Sequence, residues 1–203
     1  MSDGAPAAVT PIDVVVGADG RARCRWAASD PDYQLYHDEE WGTPLHGDHP
    51  LFEKMCLEGF QAGLSWITIL RKRPAFRQVF YEFDPVRVAA MRDDDVDAAM
   101  GNAGIIRNRA KVLSTIKNAK LTLELIRDNP GALDELMWSF APPERAQRLT
   151  SMAEVPAVTD ESVALSKALR KLGFGFVGPT TMYALMQSTG MVDDHVTGCW
   201  RAN

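Results

Sequence analysis

From Pro50 onward the apolar residues return with helical spacing: Leu51, Phe52, Met55 and Ala62 share one side of a 3.6-residue period. Gly63-Leu64-Ser65 breaks that run, and a second helix is predicted from Trp66. Pro74, whose missing N–H is harmless in a first turn, marks the expected start of a further helix. Asp84-Pro85 and Asp93 open two short helices, each with acidic character at its positive end. After Ala103-Gly104 an amphipathic run extends from about Arg107 to Arg127 and stops before Pro130. Leu133 to Phe140 predicts another helix, and the stretch from Pro142-Pro143 to Pro156 a connector. Thr159 then caps a helix to Leu172, and a last helix follows Gly178-Pro179 to about Thr189. No period-2 alternation is sustained beyond the N-terminal residues, so the fold class is all-α. Residues 1–22 are rich in Ala, Pro and Gly; Asp13 to Val16 followed by Gly17-Ala18-Asp19-Gly20 suits a small hairpin as well as a loose tail. The expected organisation is a tail over 1–22 and one helical domain over 23–203.

Composition narrows the class. The chain has 203 residues, 46% of them hydrophobic, enough to bury a core. No apolar stretch approaches the roughly 18 residues of a spanning helix, and the N-terminus lacks a secretion signal, so the expected location is the cytoplasm with no membrane contact. Cys24, Cys56 and Cys199 are an odd number, which leaves packing, reactivity or metal ligation as their uses. A net charge of -5 argues against a generally DNA-coating protein, because phosphates are met by Lys and Arg. Any nucleic-acid surface is then local. Candidates are Arg71, Lys72, Arg73 and Arg77; Arg107, Arg109 and Lys111; and Lys167, Arg170 and Lys171. Each is equally readable as a solvated helix face.

The third of these clusters precedes Gly173-Phe174-Gly175-Phe176-Val177-Gly178-Pro179, a short glycine-bearing turn between two helices. Gly175 and Gly178 let a backbone approach a phosphate, the next helix offers free N–H groups, and Lys171 adds charge. A glycine-capped helical turn is the plainer alternative.

Two further constellations carry chemistry. Cys24 and His37 form C-x12-H, and His195 and Cys199 form H-x3-C, the latter pair expected on one side of a helical turn. Two thiolates and two imidazoles complete a tetrahedral zinc set, which with four protein ligands leaves no water position and is structural. Simple packing of the four residues remains open, and His46 and His49 are rival ligands. Glu58, seven residues after Leu51 and three after Met55, falls on an apolar helix face. A buried carboxylate costs several kcal/mol, roughly, unless paired, so it is either a satisfied core group or a pocket group. Trp26, Tyr33, Tyr36, Trp41 and Trp66 lie in the same third of the chain. Each can be core, yet rings around a carboxylate suit a flat cationic heterocycle through stacking and cation-π attraction.

Arg23-Cys24-Arg25-Trp26, the run from Tyr36 to Gly42, the run from Cys56 to Trp66, Gly104-Ile105-Ile106-Arg107, Leu136 to Phe140, Phe176 to Thr180 and Asp194 to Cys199 together resemble the DNA-3-methyladenine glycosylase I family. The likeness spans about Cys24 to Cys199. It implies a divergent helix-hairpin-helix glycosylase fold with one structural zinc on Cys24, His37, His195 and Cys199. It also implies a base pocket of Glu58, Tyr36 and Trp66, walled by Trp26 and Trp41, with Glu58 expected to carry the catalytic role. Gly63 and Leu64 match the DNA-probing turn, where an apolar side chain fills the space of a flipped nucleotide.

The implied activity is hydrolytic excision of 3-methyladenine from alkylated double-stranded DNA, with the free base as product, by a monomer. No lysine falls in the pocket motifs, which implies no strand cleavage. A zinc-stapled lesion-binding module without hydrolytic activity is the alternative, and a zinc hydrolase of another substrate a second. The segment Val192-Asp193-Asp194-His195 carries Asp193 where the family commonly has Asn. That residue is expected to cap or to orient His195, with a catalytic carboxylate as the rival role.

Overall fold

The computed structural model describes residues 13–202; the first 12 residues of the expected tail, and residue 203, lie outside the described residues. Strand β1 (Val14–Val16) pairs antiparallel with β2 (Ala22–Cys24), Val14 opposite Cys24, so the expected hairpin forms and delivers Cys24 inward. Everything else of regular structure is helical, and the fold is mostly helical with one two-stranded sheet among the described residues.

A 3-10 turn at Arg25–Ser29 leads into α1 (Pro31–Glu39). Asp30 accepts the Asp32 N–H at 2.9 Å and Pro31 occupies the first turn, the same start signal that Asp84-Pro85 gives farther on. Helix α2 (Asp48–Gln61) is the centre of the molecule and packs against α3 (Trp66–Val79), α6 (Arg109–Ile126), α7 (Ala132–Trp138) and α9 (Pro179–Ser188). Its Leu51, Phe52, Met55, Cys56, Leu57 and Phe60 are all buried, wider coverage than one stripe because neighbours surround it. Asp48 at its start accepts the N–H groups of Gly131, Leu133 and Asp134 and so caps α7 as well. Short helices α4 (Pro85–Ala89) and α5 (Asp93–Gly101) rest on α6.

Three expectations change. No helix starts at Pro74, which lies inside α3. An interior proline costs about 3 kcal/mol, and here Ile69, Leu70 and Phe76 bury one continuous side across it, which keeps the helix in line. Helix α1 was absent from the hydrophobic pattern because it is barely amphipathic. Lastly, His195 and Cys199 sit on a non-helical segment, where Gly198 at φ 88° turns the chain back on itself.

Helix α8 (Asp160–Lys171) begins at the Thr159 cap and packs on α9 across the turn that follows Leu172. Ser166 Oγ donates to the Val177 carbonyl at 2.6 Å, and Asn118 of α6 holds Gly175 on both sides, accepting its N–H at 2.8 Å and donating to its carbonyl at 3.1 Å. The turn also presses on α2: a Cβ on Gly59 would sit 3.2 Å from that of Phe176. None of the described helices is long and apolar enough to cross a membrane.

Candidate functional site

Cys24, His37, His195 and Cys199 converge from β2, the last turn of α1 and the C-terminal loop; their ligand atoms lie within 4.8 Å of one another and all four residues are buried. Cys199 Sγ is 3.3 Å from His37 Nε2 and 3.6 Å from His195 Nδ1, and Cys24 Sγ is 3.8 Å from His195 Nδ1. Zinc–sulfur and zinc–nitrogen bonds at tetrahedral angles put such atoms about 3.5 Å apart, so the residues fit that metal. The remaining ring nitrogens are also engaged. His37 Nδ1 faces Asp38 Oδ1 at 2.9 Å, and His195 Nε2 faces the Trp41 carbonyl at 3.2 Å, the orienting partners that metal-binding imidazoles use.

Asp38 is itself fixed by the buried Arg23, whose Nε and Nη2 donate to it at 2.9 and 2.7 Å. Burial works against its ionisation, yet Arg23 and His37 hold its carboxyl below the ordinary value. Gly42, at φ 74°, lies so close to His195 that a Cβ would meet Nε2 at 2.9 Å. His46 and His49 are elsewhere, on Asp134 and on the Glu82 carbonyl.

Beside the quartet lies a cleft of about 260 Å³ lined by Trp26, Tyr33, Tyr36, Trp41, Gln61, Trp66, Met152, Ala184 and Gln187. All four expected aromatic residues therefore share one concave surface. Trp26 meets Tyr33 and Trp41 edge-on at 5.5 and 5.1 Å, and Tyr36 meets Trp66 at 5.4 Å. Trp41 also packs edge-on against His195 at 4.6 Å, so the Cys/His quartet buttresses one wall. Tyr33 does more than pack: its hydroxyl accepts the Ile67 N–H at 3.0 Å and satisfies the first turn of α3.

Glu58 is 3% exposed and is not among the residues that line this cleft. Its Oε1 accepts from Ser188 Oγ at 3.0 Å, and its Oε2 has no partner; the Trp66 indole N–H is likewise buried and unpartnered. Burial pushes the Glu58 carboxyl up, opposed by the charge of Lys54 and by the Ser188 hydroxyl. Lys54, one turn earlier on α2, is 6% exposed, and its Nζ donates to the Tyr36 hydroxyl at 2.9 Å. Burial pulls its amine down to about 8, against the opposing pull of Glu58 and Glu40.

With this geometry in view, the family model described as Methyladenine glycosylase matches residues 26–202. The chain belongs to the methyladenine glycosylase family. DNA-3-methyladenine glycosylase 1 of Escherichia coli (strain K12) is 48% identical over 178 residues, covering 87% of this chain and 95% of that relative. A crystal structure of 3-methyladenine DNA glycosylase I matches with TM-score 0.84 at 46% identity, over 88% of this chain and 98% of the other. A 3-methyladenine DNA glycosylase I variant in complex with 3-methyladenine matches with TM-score 0.81 at 34% identity, over 87% and 95% of the two chains.

Within this methyladenine glycosylase the expected DNA-facing residues fall at two tips. Gly63, at φ 85°, ends α2, and Leu64 beyond it is 43% exposed. The tip is held from below by Lys111, whose Nζ donates to the Phe60 and Ala62 carbonyls at 2.8 and 2.7 Å. At the other tip, Gly178 caps α9 beside the Arg170 guanidinium and Lys171 is exposed, whereas the Gly175 N–H is taken by Asn118. The cluster on α3 is committed internally: Arg71 to Asp30 and Asp32, Arg73 to Glu40, Arg77 to Glu53 and Lys72 to the Ala103 carbonyl. Arg109 pairs with Asp97.

Sequence reasoning missed several groups at the site. Lys54, Ser188, Arg23 and Asp38 are among them, and so is Asp194. Its buried carboxylate accepts from Tyr183 at 2.6 Å, from Gln187 at 2.9 Å and from Arg145 at 2.9 Å, linking the C-terminal loop to the cleft through Gln187. Asp193 is the half-buried neighbour: its Oδ1 accepts the His195 backbone N–H at 3.0 Å and its Oδ2 faces Arg148 at 2.7 Å. The available signal for Asp194 was the Asp-Asp-His run, in which alternate residues of an extended segment face opposite ways.

Proposed function

We propose that this chain is a DNA repair glycosylase that takes 3-methyladenine out of alkylated duplex DNA and hydrolyses its bond to the sugar without cutting the strand. The observation that carries the reading is an aromatic cleft with the unpartnered Trp66 N–H in its wall, and with the unpartnered carboxylate of Glu58 acting by its charge on Tyr36 of the same wall. A buried acceptor left unsatisfied costs about 1–3 kcal/mol, a cost that a ligand bearing an amino group removes. A flipped, N3-methylated adenine is flat and cationic, it stacks on the rings, and its amino edge supplies the donor.

The chemistry asks little of the protein. Methylation makes the base a good leaving group: the C1′–N9 electron pair passes to the ring and cancels its charge, water adds to C1′, and a proton goes to solvent. Lys54 does not alter this, since its amine is enclosed by Tyr36 and Trp66 on the side of the base and serves no Schiff base at the sugar. Leu64 fills the gap left in the duplex, and the α8–turn–α9 hairpin grips a backbone through Gly178 and Lys171 in helix-hairpin-helix fashion. One zinc on Cys24, His37, His195 and Cys199 ties the two ends of the chain together; four protein ligands leave it no water to activate.

The direct test is chromatography of bases released from methylated DNA, with strand integrity followed in parallel. Release of 3-methyladenine from intact strands is expected; binding without release identifies a lesion-recognition module instead. Asp193→Asn is expected to keep most of that activity, because an amide oxygen still accepts the His195 N–H and the Arg148 contact is partly exposed. Single-turnover excision on a methylated duplex measures it. A collapse of the rate with zinc and folding intact makes Asp193 catalytic.

A further inference from the structure

Lys54 is a buried cation in a cage whose expected ligand is also a cation. Its Nζ lies 4.7 Å from the centre of the Tyr36 ring and 4.6 Å from that of Trp66, and donates to the Tyr36 hydroxyl at 2.9 Å. It reaches those rings from a second cleft, of about 220 Å³, which shares no lining residue with the aromatic one. Tyr36 and Trp66 thus stand between an internal ammonium and the proposed seat of the base.

The charges around Lys54 come from three elements. Glu40 at the end of α1 is bound by Arg73 of α3 through both carboxylate oxygens, and Glu53 of α2 is bound by Arg77 at 2.8 Å. Ser188 of α9 and the Tyr36 hydroxyl are neutral. Glu58 is the carboxylate of this group that has no arginine, and it sits four residues from Lys54 on one helix, the spacing at which side chains meet. Lys54 Nζ is given to the Tyr36 hydroxyl and Glu58 Oε2 has no partner, so the two opposite charges share one buried stretch of helix without a hydrogen bond between them.

We propose that Lys54 is a specificity-determining positioning residue of the base site, which pins the Tyr36 and Trp66 rings from behind and keeps Glu58 as the carboxylate acceptor for the amino edge of a purine. The idea rests on the glycosylase reading above and refines it. With Lys54 in place the site offers a carboxylate acceptor whose charge is offset by a nearby ammonium, and the amino edge of the base meets it through a hydrogen bond.

The sign of the test follows from the pair. Burial raises the Glu58 carboxyl and Lys54 lowers it, so neutralising residue 54 sends it higher, and the acid side of the binding profile moves to higher pH. Binding of free 3-methyladenine to the full chain is measured against pH by tryptophan fluorescence for the native protein and for K54M, K54Q and K54R, with thermal midpoints as the check on folding. K54Q keeps a donor for the Tyr36 hydroxyl should K54M fail to fold. Ratios to the native protein cancel titration of the ligand itself.

The neutral variants are expected to shift the acid midpoint up by about one pH unit, roughly tenfold weaker binding below it, while K54R stays with the native profile. An unshifted midpoint in folded K54M or K54Q, or an equal shift in K54R, overturns the role of Lys54 even if native protein releases 3-methyladenine from DNA. Failure of the native protein both to release and to bind the base overturns the glycosylase reading, and this proposal with it.

Discussion

Glu58→Ala is expected to give a folded protein whose affinity for free 3-methyladenine falls by about 1 to 3 kcal/mol, with excision falling at the binding step. Glu58 Oε2 is a buried acceptor without a partner, and Oε1 is held only by Ser188. If Glu58 were a structural ion-pair member, both oxygens would be saturated and its loss would appear first in stability. Because one oxygen is idle, the loss appears first in ligand affinity. The companion variant Glu58→Gln keeps the volume and one acceptor oxygen but not the charge, and should fall between native and alanine. Calorimetric titration with the free base, followed by single-turnover excision, separates binding from chemistry. Unchanged affinity in Glu58→Ala removes this residue from the base site and leaves the aromatic cleft without its polar contact.

The parts of this site that are legible in the sequence are those fixed by local period. Glu58 stands out because Leu51, Met55 and Ala62 define an apolar face around it, and α2 does bury that face. Helix α1, which presents both Tyr36 and His37, is nearly invisible to the same criterion: Leu35 points outward at 58% exposure, and the buried positions are a tyrosine and a histidine. Only Asp30-Pro31 announces it. Lys54 fails differently. A lysine four residues before a glutamate reads as an exposed helical pair, and nothing on α2 alone says that α1 and α3 will close over it. The α3 arginines mislead for the same reason, since the carboxylates that occupy Arg71 and Arg73 lie more than thirty positions away. Pair distances across the fold decide what a charged side chain is for, and the local pattern does not carry them.

The Cys/His quartet is the extreme case of such long-range pairing, and its loss should be the largest effect on the folded state. Cys24 and His195 are 171 positions apart, yet their side chains meet at 3.8 Å. Without a metal, two thiols and two imidazoles packed this closely must share protons; the hydrogen bond from Cys24, with further help from His195 and His37, already holds the Cys199 thiol far below its ordinary value. A bound divalent cation would resolve that crowding by taking both sulfurs as thiolates. Cys199→Ser is therefore expected to lower zinc content and thermal stability together. Most of the buried side chains lie outside the four residues, so the loss should be about 4 kcal/mol, less than the roughly 10 to 16 of zinc-dependent peptides, and a fall in midpoint of roughly 8 to 16 °C. Cys56→Ala is the control, because Cys56 is buried against α6 and outside the quartet. It should cost some packing and leave one zinc per chain. Since Trp41 leans on His195 and also walls the cleft, chelation of the native protein should perturb tryptophan fluorescence and weaken free-base binding before the helices melt. Elemental analysis that finds no zinc in a fully stable native protein, or a Cys199→Ser variant with native stability, would show that these four residues only pack.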